Sequence, residues 1–155
     1  MPDSTPTPSG GAFIPPCQHT LRFRLQYCDT DQMGTFYNSR PLEWFEHGRT
    51  ELLRSLGLPY VTMEEKGVFL PLVESHVEYL GRARYDDLLE MTTRVTAKGR
   101  ARLLAEVEAV QAESRRAVVR GYTIHAFTDA TGRPIRPPGW FLEAVSHPTS
   151  SSATG

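Results

Sequence analysis

The stretch Tyr27–Glu46, YCDTDQMGTFYNSRPLEWFE, is where one hydrophobic period ends and another begins. Just before it, LRFRLQY alternates strictly, with Leu21, Phe23, Leu25 and Tyr27 on one face and Arg22, Arg24 and Gln26 on the other. A period of two predicts a half-buried antiparallel strand with these four apolar residues inward. From Pro41 to Leu56 the period lengthens: Leu42, Phe45, Leu52, Leu53 and Leu56 recur at helical spacing, with Glu43, Arg49, Glu51 and Arg54 mostly between them. That pattern predicts one long amphipathic helix. Asn38 or Ser39 is its cap, Pro41 is tolerated only in a first turn, and Gly57 and Pro59 end it. Gly48 inside the helix costs about 1 kcal/mol relative to alanine, so close packing of the helix on a sheet is expected there. Between the two periods lie two carboxylates, Asp29 and Asp31, then Gly34 and Asn38. Such a junction has the composition of an active site.

Downstream of the helix the segments are mainly strands. VFLPLVESHVEYL carries one or two, LLEMTTRVTAKG another, ARLLAEVEAVQ alternates, and RRAVVRGYTIHAFTD is long and β-rich. GRAR and DATGRP carry turn signals. A strand, one long helix and then about four strands, without βαβ alternation, predicts an α+β domain whose antiparallel sheet packs on one helix. The Pro-, Ser-, Thr- and Gly-rich start cannot bury enough surface to offset its ordering entropy, and SHPTSSSATG at the end reads the same way. The expected organisation is a flexible tail over 1–19, a folded domain over 20–145 and a second tail over 146–155.

With 155 residues and 39% apolar composition, one core is expected. The formal net charge is −1, from 17 basic and 18 acidic residues, so no overall field draws the chain to nucleic acid or an anionic membrane. No apolar run approaches the ~20 residues of a membrane span, and no secretory signal is legible, so a cytoplasmic location is expected. Cys17 and Cys28 lack metal-ligand spacing and are too few for a disulfide framework. Cys28 reads as a small buried strand residue, with a nucleophile as the alternative.

The motifs YCDTDQMG (27–34), Tyr37-Asn38, LEWFEHGRTELLRSLGL (42–58), ARYDDLLEM (83–91) and GYTIHAFTDATGRPIRPP (121–138) together resemble the hotdog-fold acyl-CoA thioesterases of the 4-hydroxybenzoyl-CoA thioesterase type. The resemblance implies a sheet of about five strands wrapped around the helix, in a homodimer or homotetramer with the active site between subunits. It implies Asp31 as the catalytic carboxylate, acting as nucleophile or as general base on water. The backbone N–H of Asn38, at the helix start, would hold the thioester oxygen, and Gly34 would let the loop approach the substrate. Tyr37 would contact the substrate. The reaction needs no cofactor and no metal, since coenzyme A belongs to the substrate.

The chemistry is consistent with elementary physics. A thioester carbonyl needs an ionised acid near its carbon and N–H donors where the oxyanion develops. A helix start supplies donors and favours an adjacent carboxylate. Coenzyme A phosphates call for cations, and Lys98, Arg100 and Arg102 in KGRAR are the candidates, with a solvated hairpin as the alternative. Asp29 is expected to orient the loop by bonding backbone N–H groups. Glu46 and Arg49, three apart on a helix, read as a structural ion pair. His76 and His125 read as structural hydrogen-bonding residues, His47 as exposed, and Asp86 and Asp87 as turn residues opening a strand. A non-catalytic hotdog module that binds an acyl thioester or a protein is the rival from another class.

Overall fold

The structure is a computed structural model and describes residue 14 and residues 16–147. Five strands form one antiparallel sheet: β1 (Cys17–Arg24), β2 (Leu72–Tyr79), β3 (Leu88–Ala97), β4 (Arg102–Gln111) and β5 (Ala117–Ala126). Their spatial order is β1-β3-β4-β5-β2. Helix α1 (Arg40–Ser55) lies across one face, mainly over β1 and β3. This is the hotdog arrangement the motifs imply.

The inward faces explain why the sheet holds the helix. On β3, Leu89, Met91, Thr93 and Val95 are fully buried, while the intervening residues alternate outward. On α1 the buried set is Pro41, Trp44, Phe45, Gly48, Arg49, Leu52 and Leu53. Leu42, expected inward, is exposed, because the buried stripe is centred on Phe45, Gly48 and Leu52 and leaves Leu42 on its flank. A Cβ on Gly48 would collide with Thr93 Oγ1 and touch Met91 Cε at 3.0 Å, so the glycine sets how closely helix and sheet approach. Phe45 is fully buried and reaches β5, where a Cβ on Gly121 would lie 2.9 Å from its Cε2.

Two short helices were not legible in the sequence: α2 (Tyr60–Glu65) and α3 (Gly139–Ser146). At 6 and 8 residues, each spans about two turns, too few for an apolar stripe to repeat recognisably. Met63 of α2 and Phe141 and Val145 of α3 close the core beneath the C-terminal half of α1, together with Leu52, Leu53 and Phe127.

Strand β1 starts at Cys17, earlier than the boundary at residue 20, since Cys17, Gln18 and His19 pair with Val95, Arg94 and Thr93. These residues read as tail because their pairing partners lie more than 70 residues away. The remainder of the N-terminal tail, apart from residues 14 and 16, and residues 148–155 lie outside the described residues. Strand β1 also ends sooner than the alternation suggests. The chain turns into a short 3-10 segment, Tyr27–Asp29, so Tyr27 is 79% exposed and Cys28 is exposed, not a buried strand residue. The strand pattern overran because the Leu25 N–H and C=O bond to Asp87 and Asp86 in the turn before β3, which carries the chain off the sheet.

Candidate active site

The segment from Leu25 to Ser39 forms a loop that doubles back on itself. Thr30 and Phe36 form an isolated antiparallel bridge, the Asp31 N–H donates to Thr35 O at 2.9 Å, and the Tyr37 N–H donates to Asp29 O at 2.7 Å. The reversal is made by Asp31–Gly34, whose ends are joined by a 3.0 Å bond from the Gly34 N–H to Asp31 O. Gly34 sits at φ 73°, a left-handed conformation that favours glycine.

Each acid in the loop has a distinct environment. Asp29 Oδ2 accepts the Gln26 N–H at 2.7 Å, so Asp29 shapes the loop through the backbone as expected. Asp31 Oδ1 accepts the Met33 N–H at 2.8 Å, which fixes the carboxylate's direction. Among the described residues its second oxygen has no hydrogen-bond partner.

Asn38 lies two residues before α1. Its N–H donates to no backbone or side-chain acceptor among the described residues, and the residue is exposed, so this donor faces outward at the helix entrance. Ser39 occupies the cap position without a capping side-chain bond. The Asn38 carbonyl is held from the other side, because the Tyr79 hydroxyl at the end of β2 donates to it. Tyr79 also stacks on Phe36, with ring centroids 6.3 Å apart.

Two arginines brace the loop. Arg82 donates to Met33 O at 2.8 Å, while Arg40 donates to Cys28 O at 2.8 Å and pairs with Glu43 at 2.9 Å. Sequence reasoning missed Tyr79, Arg82 and Arg40. The bonds of Tyr79 and Arg82 to the loop cross 41 and 49 residues of chain, so no local pattern could have signalled them.

Asp31, Gly34, Tyr37 and Asn38 thus share one closed loop, and Tyr37 is exposed at its rim. Lys98, Arg100 and Arg102 do not join them. They stand at the β3–β4 turn, whereas the loop meets β3 at its Leu88 end. Ten strand residues separate the two, roughly 30 Å at about 3.3 Å per residue.

A second polar group lies under the helix. Arg49 does not pair with Glu46. It is only 7% exposed, its Nε–H donates to Tyr60 Oη at 2.6 Å and its Nη1–H to Thr123 Oγ1 at 3.2 Å. The Thr123 hydroxyl also bonds His125 Nε2 at 3.0 Å, and His125 Nδ1 faces Leu70 O at 3.0 Å. A carbonyl cannot donate, so Nδ1 carries the ring proton and Nε2 accepts from Thr123. Burial, with the nearby Arg49 charge, pushes His125 down from 6.5 to about 4, so the ring is neutral at pH 7. His125 is therefore structural, as expected, while His76 is exposed and bonds Glu78 at 3.3 Å.

A five-stranded antiparallel sheet carrying one long helix is a hotdog domain. A family model described as the thioesterase-like superfamily matches residues 25–145, and the chain belongs to that family. An acyl-CoA thioesterase, YbgC, of Haemophilus influenzae is 37% identical over 54% of this chain and 62% of its own length. The chain spans about half the length of the curated relatives it matches. A DHNA-CoA thioesterase from Staphylococcus aureus is 28% identical, with TM-score 0.75 over 83% of this chain and 89% of its own. Slr0204, a 1,4-dihydroxy-2-naphthoyl-CoA thioesterase from Synechocystis, has the same fold at 23% identity, with TM-score 0.78 over 85% of this chain and 100% of its own.

Proposed function

We propose that the protein hydrolyses an acyl-CoA thioester to coenzyme A and a free acid. The observation that carries this reading is the loop's pairing of a carboxylate aimed by Met33, Asp31, with an N–H at the helix start that has no internal acceptor, Asn38. The activities for which the relatives above are named, all on CoA thioesters, support the same substrate class.

In this mechanism the thioester oxygen lies on the Asn38 N–H, where the α1 dipole favours the negative charge that develops as the carbonyl carbon becomes tetrahedral. Asp31 either attacks that carbon or takes a proton from water that attacks it. Collapse breaks the C–S bond and releases the CoA thiolate, which is protonated to the thiol; where Asp31 is the nucleophile, water then hydrolyses the acyl–Asp31 anhydride to the free acid and restores the carboxylate. Gly34 lets the turn lie close to the substrate, and Tyr37 flanks it.

The site is completed by a second copy. Strand β2 is a sheet edge whose outer side is unpaired among the described residues, and Leu72, Val73, Tyr79 and Leu80 are exposed along or beside it. Antiparallel pairing of two such edges about a two-fold axis covers this liability. It also inverts the partner, so the Leu72 end of one β2 meets the Tyr79 end of the other. The partner's Lys98–Arg102 hairpin then lies at the Asp31 end of the joined sheet, available to the phosphates of coenzyme A. A dimer or tetramer in the cytoplasm is part of this reading.

The test is thiol release from short, medium, long and aryl acyl-CoAs, with native protein and Asp31→Asn side by side, and sedimentation to read the assembly. Hydrolysis that collapses in the variant is expected. Full activity in a folded Asp31→Asn protein would remove Asp31 from the mechanism, and a monomer with full activity would remove the composite site.

A further inference from the structure

Beside Arg49 a cavity of about 270 Å³ opens between α1 and the sheet, lined by Leu42, Glu46, Arg49, Leu72, Thr123 and His125. Arg49 stands at its floor, and the carboxylates Glu43 and Glu46 border it on the α1 side. Of the five N–H donors of a guanidinium, Tyr60 and Thr123 take two from Arg49, and the other three have no acceptor among the described residues. No carboxylate of the described residues lies within 4.0 Å of it, although the residue is 7% exposed. Glu43, which also borders the cavity, is taken up by Arg40, and Glu46 is exposed at the rim.

A largely buried guanidinium with open N–H donors and no carboxylate on it favours an anion that completes it. The side chains bonded to Arg49, and His125 beyond Thr123, bring it no negative charge. His125 is held as the neutral Nδ1–H tautomer, and Thr123 and Tyr60 accept without charge. The planar fork of three open donors matches the two oxygens of a carboxylate, and a hydroxyl would use only part of it.

We propose that this cavity receives the far end of the acyl group and selects acyl chains that end in a carboxylate, held by the free N–H donors of Arg49. This rests on the thioesterase reading, in which the thioester oxygen lies on the Asn38 N–H. With β2 edges paired about a two-fold axis, the cavity of one protomer at Leu72 adjoins the Tyr79–Asn38 end of the other. The thioester and the acyl terminus would thus be held by different subunits.

The experiment compares matched pairs of equal chain length, one ending in a methyl group and one in a carboxylate, on native protein, Arg49→Gln and Arg49→Lys. Each pair is used as a hydrolysable acyl-CoA, read by kcat/KM, and as a non-hydrolysable S-alkyl-CoA thioether, read by Kd. Native protein is expected to favour the carboxylate member by about 10- to 100-fold in both readouts. Arg49→Gln should remove that preference while methyl-ended substrate is still turned over, and Arg49→Lys, which keeps the charge but not the fork, should restore part of it. Equal or tighter binding of the methyl-ended thioether to native protein overturns the proposal, whether or not the variants fold. A preference unchanged in a folded Arg49→Gln protein overturns it too. Carboxylate-selective thioether binding without thiol release would sustain the pocket and defeat the thioesterase reading, so the two failures are distinguishable.

Discussion

The acidic loop at the start of α1 and the polar cluster beneath its middle both consist of hydrogen-bonded groups, yet they are built oppositely. In the loop the backbone is tied down, by Thr35, Asp29, Tyr79 and Arg82, while one Asp31 oxygen and the Asn38 N–H have no partner among the described residues. In the cluster the side chains are tied down, Arg49 to Tyr60 and Thr123 and His125 to Leu70, and the whole is buried against β5. The difference teaches where each requirement can be met. Charge that develops during a reaction needs preset donors in reach of substrate, which a surface loop supplies. A charge that discriminates between ligands acts most strongly where water is excluded.

The largest expected effect separates the two regions by activity. Asp31→Asn should lower kcat/KM by about 10²- to 10⁴-fold, the usual range for a lost general base, while leaving the unfolding midpoint near that of native protein. A large loss of stability in this variant would mean that Asp31 belongs with the structural groups. Phe45→Ala, at the contact between α1 and β5, should do the reverse and cost about 3–5 kcal/mol of stability by denaturant titration.

The cluster should also respond to acid. His125 has its folded value lowered from 6.5 to about 4, so below pH 6.5 the unfolded chain binds the proton that the folded chain resists. Its contribution is present in full above pH 6.5 and is lost as the pH falls toward 4, by about 3 kcal/mol in all. A His125→Gln protein should show a shallower fall in unfolding free energy over that window, measured by urea titration at each pH, and an unchanged slope would contradict the neutral buried ring. The smallest effect is expected from Tyr79→Phe, which removes one bond to the Asn38 carbonyl and should cost about 0.5–1.5 kcal/mol, read as a modest fall in kcat with KM nearly constant.

Much of the fold and part of the candidate site were legible because they rest on local rules. The alternation of Leu21, Phe23 and Leu25, the helical spacing from Phe45 to Leu53 and the stop at Gly57 are each properties of fewer than twenty neighbouring residues. So is the Asp31–Gly34 turn, where a glycine at positive φ follows a pair of acids. Local pattern failed where a distant partner decided the outcome. Leu42 and Tyr27 carry apolar side chains in the expected period and still face solvent, because the packed stripe of α1 and the bonds from Leu25 to the Asp86–Asp87 turn rotate them away. Residues 17–19 look like tail until β3 pairs with them.

The sequence by itself determined that a strand, a carboxylate loop and a helix follow one another, because secondary structure and turns are written in spacing and in glycine and proline placement. Only the tertiary structure decided that Arg49 bonds Tyr60 and Thr123 rather than Glu46, that Thr123 in turn bonds His125 under the helix, and that the Lys98–Arg102 hairpin lies a strand's length from Asp31. Those outcomes depend on which strands lie side by side and which end of each is shared, and strand order joins residues tens of positions apart.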